Sequence, residues 1–293
     1  MRAFSLSLLT LLLASTILAA DDAILRQDLA DRAEHQAAMR SRIRTDVVTQ
    51  ARADYWLIIG AAGSVAGNFG TFFKSDLMIS NHRSVPQAVD ISFFAQGQNG
   101  AGGFALKRYT IDANGALYLD DVVARLGRTG LGTLDIRART STGGLDTAAK
   151  IDAFSRIWTP QANASGTQFA GGTTSQSFPS TMIDTVSGTG RAFLLGLQQD
   201  SRFRTNIGIF NNDLSDPHTF TVNVLGTSGQ TTFTITVPAW SMVQQSLPGG
   251  TWGNLYLVVT PDSGMTGEWW SVYASSSDNI TGDGWVTVGS QND

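Results

Sequence analysis

Residues that carry out acid–base and nucleophilic catalysis are scarce in this chain of 293 residues. It has three histidines, two glutamates and no cysteine, which excludes a thiol nucleophile and a thiolate zinc site. None of the strings GxSxG, HExxH, SxxK or GxxxxGK(S/T), which mark hydrolases, zinc proteases, β-lactamases and P-loops, occurs in it. The sequence therefore predicts that the protein is not an enzyme, and that His82 and His218 are ordinary polar loop residues.

One loop near the carboxyl end gathers several oxygen-bearing side chains in the string DNITGDG, from Asp278 to Gly284. Oxygen-rich turns of this kind can bind Ca²⁺, although the spacing differs from that of an EF-hand. The same residues also suit a hairpin turn in which Asp and Asn side chains bond to their own backbone. Asp278, Asn279 and Asp283 are thus the candidate metal ligands, and calcium is the only cofactor that the sequence suggests.

Tryptophan is the third feature with functional promise, because five of the seven tryptophans lie between residues 240 and 285. In the string EWWSVYAS, strand alternation puts Trp270 on one face and Trp269 and Tyr273 on the other. If the second face is covered, it is a domain or subunit interface. If it is open, its rings form a platform of the kind that stacks on sugars. The candidate ligand-binding residues are Trp269, Tyr273 and the neighbouring Trp252.

The elements that position these residues form an internal repeat. The string FKSDLMISN, from Phe73 to Asn81, has a near copy in FRTNIGIFN, from Phe203 to Asn211. Alternation turns Phe73, Ser75, Leu77 and Ile79 inward and leaves Lys74, Asp76, Met78 and Ser80 on the solvent side. The strand ends at an Asn, which tolerates a left-handed turn and can bond to its own backbone.

Four further pairs of strings follow the same order in the two copies. They are LIIG (57–60) with FLLG (193–196), LYLDDVV (117–123) with SMVQQSL (241–247), GTLDI (132–136) with GNLYL (253–257), and AFSR (153–156) with VYAS (272–275). A repeat of this length has the size of a β-sandwich and is too long for a solenoid or propeller repeat.

Short alternating runs bounded by turn residues begin at Tyr55 and continue to the end of the chain. Together with the repeat they predict an all-β protein of two tandem immunoglobulin-like β-sandwiches, residues 55–170 and residues 191–293. Residues 171–190 are rich in Gly, Ser and Thr and are predicted to be the linker, with Phe178 to Val186 available to strap onto a domain.

The first 54 residues have a different composition. Residues 1–20 combine Arg2, an apolar run from Leu6 to Leu18 and two small residues, the pattern of a secretory signal peptide, so a secreted protein is expected, extracellular, periplasmic or on the cell surface. Residues 21–54 are highly charged, lack Gly and Pro, and predict a helix with a thin apolar stripe. This helix is either solvated or a docking segment that makes a homo-oligomer.

The charge balance limits the partners. There are 20 basic and 24 acidic side chains, which gives a formal net charge of −4 and disfavours nucleic acids and anionic lipid surfaces. No second apolar run of membrane-spanning length follows the first. The expected partners are therefore a protein or a glycan at the cell surface.

The strings FKSDLMISN, AFSRIWTP, FRTNIGIFN and YASSSDNITGDGWVTV, in this order, resemble a group of uncharacterised secreted bacterial proteins with two Ig-like modules. The resemblance covers about Tyr55 to Val288 and implies the fold and the export of the chain. It implies no catalytic residue.

The functional expectation is a secreted, non-enzymatic interaction or adhesion-type protein. One alternative is a glycan-binding module that uses the Trp-rich face of the second sandwich. Another is a self-assembling structural subunit, held by exposed sheet edges and by residues 21–54. Because Ig-like folds host many functions, the fold by itself does not choose among these.

Overall fold

Antiparallel sheets account for most of the chain from Trp56 onward. The computed structural model describes residues 54–67, 71–100, 104–162, 168–182, 186–266 and 268–291. The predicted signal peptide and nearly all of the predicted helix of residues 21–54 lie outside these ranges. Within them, no helix has the length and apolar character needed to cross a membrane. The all-β prediction is confirmed for this part of the chain.

The first module contains nine strands and one short helix. The strands are β1 (Trp56–Ala66), β2 (Phe72–Asn81), β3 (Gln87–Ala95), β4 (Ala105–Ile111), β5 (Ala116–Leu119), β6 (Gly130–Arg139), β7 (Ile151–Ala162), β8 (Gln168–Pro179) and β9 (Thr181–Met182). The helix α1 (Val122–Arg125) follows Asp121, whose side chain accepts a hydrogen bond from the Ala124 backbone N–H.

These strands pair into two layers. Sheet 1A has the order β4-β3-β6-β1-β9, and sheet 1B has the order β5-β2-β7-β8. The layers are joined where the end of β1 pairs with the start of β2, at Ser64 and Lys74. Leu57 and Ile136 of sheet 1A share one buried cluster with Leu77 and Ile79 of sheet 1B, so the inner faces of the two sheets form the core of a sandwich.

The second module contains ten strands and a 3-10 helix (Ser263–Met265). The strands are β10 (Val186–Ser187), β11 (Ala192–Gln199), β12 (Phe203–Asn211), β13 (His218–Gly226), β14 (Gly229–Val237), β15 (Ser241–Ser246), β16 (Gly253–Pro261), β17 (Trp269–Asp278), β18 (Gly284–Val288) and β19 (Ser290–Gln291). A separate buried cluster that includes Leu194, Ile207, Val222 and Leu257 forms the core of this module.

The strand order of the second module repeats that of the first. Sheet 2A is β14-β13-β16-β11-β19 and sheet 2B is β15-β12-β17-β18, with β10 beside β17 as well. Each strand from β1 to β9 therefore has its counterpart ten strands later. The duplication that the strings indicate is confirmed for the whole sandwich, strand by strand.

The register refines the alignment of the repeated strings. Both β1 and β11 contain a bulge, between Ile59 and Ala62 and between Leu194 and Leu197, so Ile59 corresponds to Leu194 and Gly60 to Leu195. The LIIG and FLLG strings are thus one residue out of register. For the strings that begin at residues 117 and 132, the predicted alignment with the second copy is shifted by two residues from the structural one. The strings that begin at residues 73 and 153 are aligned as predicted.

The Asn at the end of the repeated strand has a defined structural role. The Nδ2 of Asn81 donates to the carbonyls of Val85 (2.8 Å) and Asp112 (3.0 Å), and its Oδ1 accepts from the Arg83 backbone N–H. The Nδ2 of Asn211 likewise donates to Asp216 (2.9 Å) and Pro238 (3.1 Å). The predicted bond to the local backbone is present, but neither Asn has a positive φ.

The segment predicted to be a linker is instead built into the sheets. Residues 171–179 belong to β8, Thr181 and Met182 pair with β1, and Val186 pairs with Trp270 of β17. Phe178 and Val186 are buried, as expected for a strap. The sequence of β8 has few apolar residues and therefore does not show the pattern of a strand. An edge strand of this kind needs little apolar surface, and Phe178 is its residue in the buried cluster.

The two sandwiches pack on each other within the compact unit of Gln50–Asp293. The outer face of sheet 1A lies against the outer face of sheet 2B, through contacts of β1 with β12 and β17 and of β15 with β3 and β6. Strand β1 is consequently buried on both faces. Its continuous apolar string WLIIGAA is typical of a strand covered on two sides.

Candidate functional site

The interface between the modules is centred on Tyr273, which is 2% exposed. Its ring lies between two glycines, Gly60 of β1 and Gly208 of β12, and a Cβ atom at either position would overlap it. The hydroxyl donates to Oε1 of Gln244 on the far side of Gly208, and the ring meets Phe178 edge-on at 5.2 Å. Burial raises the pKa of the Tyr273 hydroxyl, so it remains a proton donor.

A second aromatic contact lies at the other side of this interface. Trp240 is fully buried, and its ring centroid is 4.9 Å from that of Phe94 and 5.8 Å from that of Phe104, both in the first module. Beside it, the backbone N–H of Gly97 donates to the carbonyl of Met242 at 2.8 Å. Aromatic packing and backbone hydrogen bonds together fix the two sandwiches.

Buried ion pairs line the same outer face of sheet 1A. Arg137 donates to both oxygens of Asp135 at 2.9 Å, both side chains are buried, and the Arg137 guanidinium stacks on Trp56 at 4.3 Å. Charges in such a place are tolerated only when they are paired and hydrogen-bonded. The outer face of sheet 1A thus keeps its charges paired where it packs on the second module.

The aromatic residues that the sequence proposes for ligand binding do not form an open platform. Trp269 is 5% exposed and Tyr273 is buried as described, so neither ring offers a surface to a sugar. Trp252 packs against the core of the second module and donates its indole N–H to the carbonyl of Pro248 at 3.2 Å. The prediction for Trp269 and Tyr273 is corrected: both rings are buried, and Tyr273 is covered by Gly60 and Phe178 of the first module.

The predicted calcium ligands have other partners. Oδ1 of Asp278 accepts from the backbone N–H of Ile280, and Oδ2 accepts from Nε of Arg202 at 2.9 Å. Oδ1 of Asn279 accepts from Arg204 at 2.6 Å, and Oδ1 of Asp283 accepts from the next backbone N–H. Hydrogen bonding to Arg202 holds the pKa of Asp278 below its usual range. The loop is an Asx-type turn braced by two arginines.

The histidines also have defined settings. His82 is exposed and lies 2.9 Å from Asp152. His218 is buried, with Nε2 3.0 Å from Asp213 and Nδ1 2.9 Å from Asp262. Burial opposes the charge on His218, but its hydrogen bonds to the two carboxylates outweigh it and raise the pKa of the ring. Over the ranges that the structure describes, no group of three or more His, Cys, Asp or Glu side chains has an arrangement that could hold a metal ion.

An exposed apolar face lies on sheet 1B, made of Met78 (50% exposed), Tyr118 (59%) and Phe154 (45%). These three residues are direct neighbours across β5, β2 and β7, because Met78 pairs with Tyr118 on one side and with Phe154 on the other. We call them the apolar face. Contiguous exposed apolar side chains of this size mark contact surfaces in soluble proteins.

Charged residues surround the apolar face. Asp76 accepts a hydrogen bond from the backbone N–H of Asp121 and pairs in the sheet with Arg156. Asp120 accepts from Nε of Arg125 at 2.8 Å, and this bond lowers the pKa of Asp120. An apolar centre with a charged rim is the usual composition of a protein contact surface.

The counterpart of the apolar face in the second module is the buried interface itself. In sheet 2B, Gly208 pairs with Gln244 on one side and with Tyr273 on the other. The trio of Gln244, Gly208 and Tyr273 thus corresponds to Tyr118, Met78 and Phe154. The same surface of the sandwich is covered in module 2 and open in module 1.

A groove of about 750 Å³ lies on the second module at one end of sheet 2A. We call it the module 2 groove. Its apolar and aromatic lining includes Leu195 (62% exposed), Leu225, Tyr256 and Trp285, and its polar lining includes Gln198, Gln230 and Asn254. The Trp285 indole N–H donates to the carbonyl of Gly196 at 2.7 Å, and its ring meets Phe203 edge-on. These contacts fix the ring at the groove wall.

The groove corresponds to the part of module 1 that receives the interface aromatics. By register, Leu195 corresponds to Gly60 and Leu225 to Phe94. Gly60 contacts Tyr273, and Phe94 contacts Trp240. The groove is therefore an open copy of a surface that is filled in the first module.

Sequence reasoning missed both open surfaces. Tyr118, Phe154, Tyr256 and Leu195 look like ordinary members of alternating strands, and only the register places them side by side. One signal was available in the repeat: Met78 stands on the outward side of its strand where the second copy has Gly208.

Comparisons with known proteins assign no family. No family model matches the chain. No curated protein matches it either. A crystal structure of Thermotoga maritima 1070 is similar at 9% identity with a TM-score of 0.30, covering 36% of this chain and 97% of that one. The Momordica charantia 7S globulin structure is similar at 9% identity with a TM-score of 0.18, covering 73% of this chain and 71% of that one.

Proposed function

We propose that this protein is a secreted, non-enzymatic interaction protein of adhesion type, which binds another protein through the apolar face of module 1. One observation carries the proposal: Met78, Tyr118 and Phe154 are exposed at the positions that form the buried contact surface in module 2. The leader pattern of residues 1–20 supports export.

The composition of the face suits a protein partner. Three large side chains stand on adjacent paired strands, so no backbone has to be ordered when they are covered. Aromatic residues at the centre of a contact contribute most of the binding energy, while a charged rim excludes water and sets orientation.

We further propose that each sandwich is a variant of the immunoglobulin-like fold. In that fold strand B neighbours E, and C and G both neighbour F. The pairs β1–β6, β2–β7 and β7–β8 reproduce these neighbours if β1, β2, β6, β7 and β8 are taken as B, C, E, F and G. The variant differs between C and E, where β3 and β4 join sheet 1A before β5 returns to sheet 1B.

The adhesion proposal is tested with a triple variant, Met78→Ser, Tyr118→Ser and Phe154→Ser, on exposed positions where folding is preserved. The labelled protein is added to intact cells of the source organism and bound label is measured by flow cytometry. We expect binding by the wild type and a loss of at least tenfold in the triple variant. Ile280→Ser, at an exposed loop position, is the matched control. Equal binding by the triple variant would refute the proposal.

A second candidate function is glycan binding in the module 2 groove. It is favoured by the two aromatic side chains, Tyr256 and Trp285, that line the groove together with the amides of Gln198, Gln230 and Asn254. Aromatic rings stack on sugar rings, and side-chain amides bond to hydroxyl groups. This moves the glycan hypothesis from Trp269 and Tyr273 to the part of the same module that is open.

Intrinsic tryptophan fluorescence tests this second candidate. Soluble neutral polysaccharides should quench the emission of the wild type and leave Trp285→Phe with a much smaller change. Tyr256→Ala should weaken binding at least tenfold, whereas Tyr118→Ala, on the other module, should bind like the wild type. Absence of quenching across a panel of neutral glycans would remove this candidate.

A further inference from the structure

We propose that the apolar face binds a second copy of this chain, and that the surface it meets is the module 2 groove. The inference rests on the proposed contact function of the apolar face and names its partner. It follows from the duplication: two equivalent sandwiches offer two copies of each contact surface, and the interface within one chain uses only one copy of each.

The inserting side of the contact is defined by Phe154. Within the chain, Tyr273 of sheet 2B lies against Gly60 of the first module. Phe154 occupies the same position on β7 that Tyr273 occupies on β17, because each pairs with the same position of the repeated strand, Met78 or Gly208. An exposed aromatic ring thus stands where the covered copy has its central contact residue.

The receiving side is defined by Leu195. Within the chain, the Tyr273 ring lies on Gly60, next to the place where Phe94 meets Trp240. The counterparts of Gly60 and Phe94 are Leu195 and Leu225, and both line the module 2 groove. Leu195 and Met78 stand where the contact within the chain has Gly60 and Gly208, so the same two faces dock with a wider spacing. Phe154 of one copy then lies on Leu195 of the next.

The side chains at the two positions are suited to each other. Tyr273 fits against Gly60 because a glycine leaves room for the ring, whereas Leu195 projects 62% exposed and offers an apolar surface to Phe154. The groove lining carries no charged side chain, so no ion is left unpaired when the apolar centre of the other face enters. Covering both surfaces removes the exposed side chains of Met78, Tyr118, Phe154, Leu195 and Tyr256 from water.

The symmetry of this contact follows from its two unlike surfaces. Each copy contributes its apolar face to one neighbour and its groove to another, which is a heterologous interface. Repetition of such an interface gives a ring if the rotation closes and an open chain of copies if it does not. The relation of the two modules in one chain would then continue from copy to copy.

The first experiment measures self-association of the purified full chain by sedimentation velocity over a wide range of concentration. We expect species larger than the dimer to appear as concentration rises. Phe154→Asp and Leu195→Asp should each raise the dissociation constant at least tenfold, and Ile280→Asp should leave it unchanged. Phe154→Thr keeps strand propensity and serves if the aspartate variant fails to fold. A wild type that stays monomeric at all concentrations overturns the proposal.

The second experiment mixes the two variants. Phe154→Asp retains an intact groove and Leu195→Asp retains an intact apolar face, so an equimolar mixture should form a one-to-one dimer that does not grow further. Neither variant alone should form it. A contact between two identical surfaces would give no such complementation, and that result would overturn the heterologous arrangement.

The outcomes separate this inference from the adhesion proposal. If the chain is monomeric but the triple variant at Met78, Tyr118 and Phe154 still loses cell binding, the apolar face binds another protein and only the second-copy partner is wrong. If association survives both aspartate variants and disappears when residues 21–54 are removed, the charged segment makes the oligomer and the proposal is overturned. If neutral polysaccharide fills the groove without dissolving the assembly, the groove is not the receiving surface.

Discussion

His218 lies at the start of β13 with a carboxylate on each ring nitrogen, Asp213 on one side and Asp262 on the other. Asp213 also accepts from the backbone N–H groups of Ser215 and Asp216, and Asp262 accepts from that of Thr219. Burial opposes ionisation of both aspartates, but these hydrogen bonds and those to His218 outweigh it and lower their pKa values. The trio ties the loop before β13 to the turn after β16.

The His218→Gln variant tests this charged latch through the pH dependence of stability. The pKa of His218 is raised on folding, so its contribution is complete below the unfolded value of about 6.5 and is lost as pH rises through the folded value. The pKa values of Asp213 and Asp262 are lowered on folding, so the contribution of these two aspartates to stability is lost as pH falls below about 4. Urea unfolding should show the variant about 2 kcal/mol less stable near pH 5. The gap should narrow towards pH 9; a pH-independent gap would contradict the latch.

At the scale of elements, the repeated strand carries one inward pattern and two different outward faces. Ser75, Leu77 and Ile79 are buried as the alternation predicts, and so are Thr205, Ile207 and Ile209 in the second copy. On the outward face, the corresponding positions are occupied by Met78 in β2 and by Gly208 in β12. Glycine costs strand stability, and it is present in β12 because the Tyr273 ring crosses the strand there. A local defect in the strand thus makes the tertiary contact possible.

Gly208→Ala tests this account of β12. The added Cβ overlaps the Tyr273 ring, so the ring or the strand must shift, and a loss of about 1–3 kcal/mol of unfolding free energy is expected. Gly249→Ala, where a Cβ meets open space, should change stability by less than about 0.5 kcal/mol. Chemical denaturation of the two variants measures both values. An equal effect at the two glycines would show that the contact with Tyr273 is unimportant.

At the scale of the whole molecule, the two sandwiches are coupled by one interface and left with two unlike open surfaces. The coupling depends on Tyr273 and Trp240, both buried between the modules. Because unfolding of either sandwich exposes this interface, the two are expected to unfold together. The same relation between modules, repeated from copy to copy, is the basis of the proposed assembly.

Trp240→Ala tests the coupling by scanning calorimetry. The wild type should unfold in a single transition. Removing a ring that packs on Phe94 and Phe104 should cost about 3–5 kcal/mol and separate the transition into two, one for each module. Trp285→Ala, at the partly exposed groove wall, should cost less and keep a single transition. Two transitions already present in the wild type would contradict the coupling.

The all-β class, the duplication and the positions of Ser75, Leu77 and Ile79 on the inner face follow from the amino-acid sequence, because strand alternation and repeated strings are local properties. The sequence also identified the face of Trp269 and Tyr273 as one that would be either covered or open. Sheet packing settles the question: sheet 2B on sheet 1A covers Tyr273, whereas Met78, Tyr118 and Phe154 of the equivalent surface are exposed. Pairing register and contact between modules bring together residues far apart in the chain, and no local pattern encodes which of two equivalent surfaces is covered.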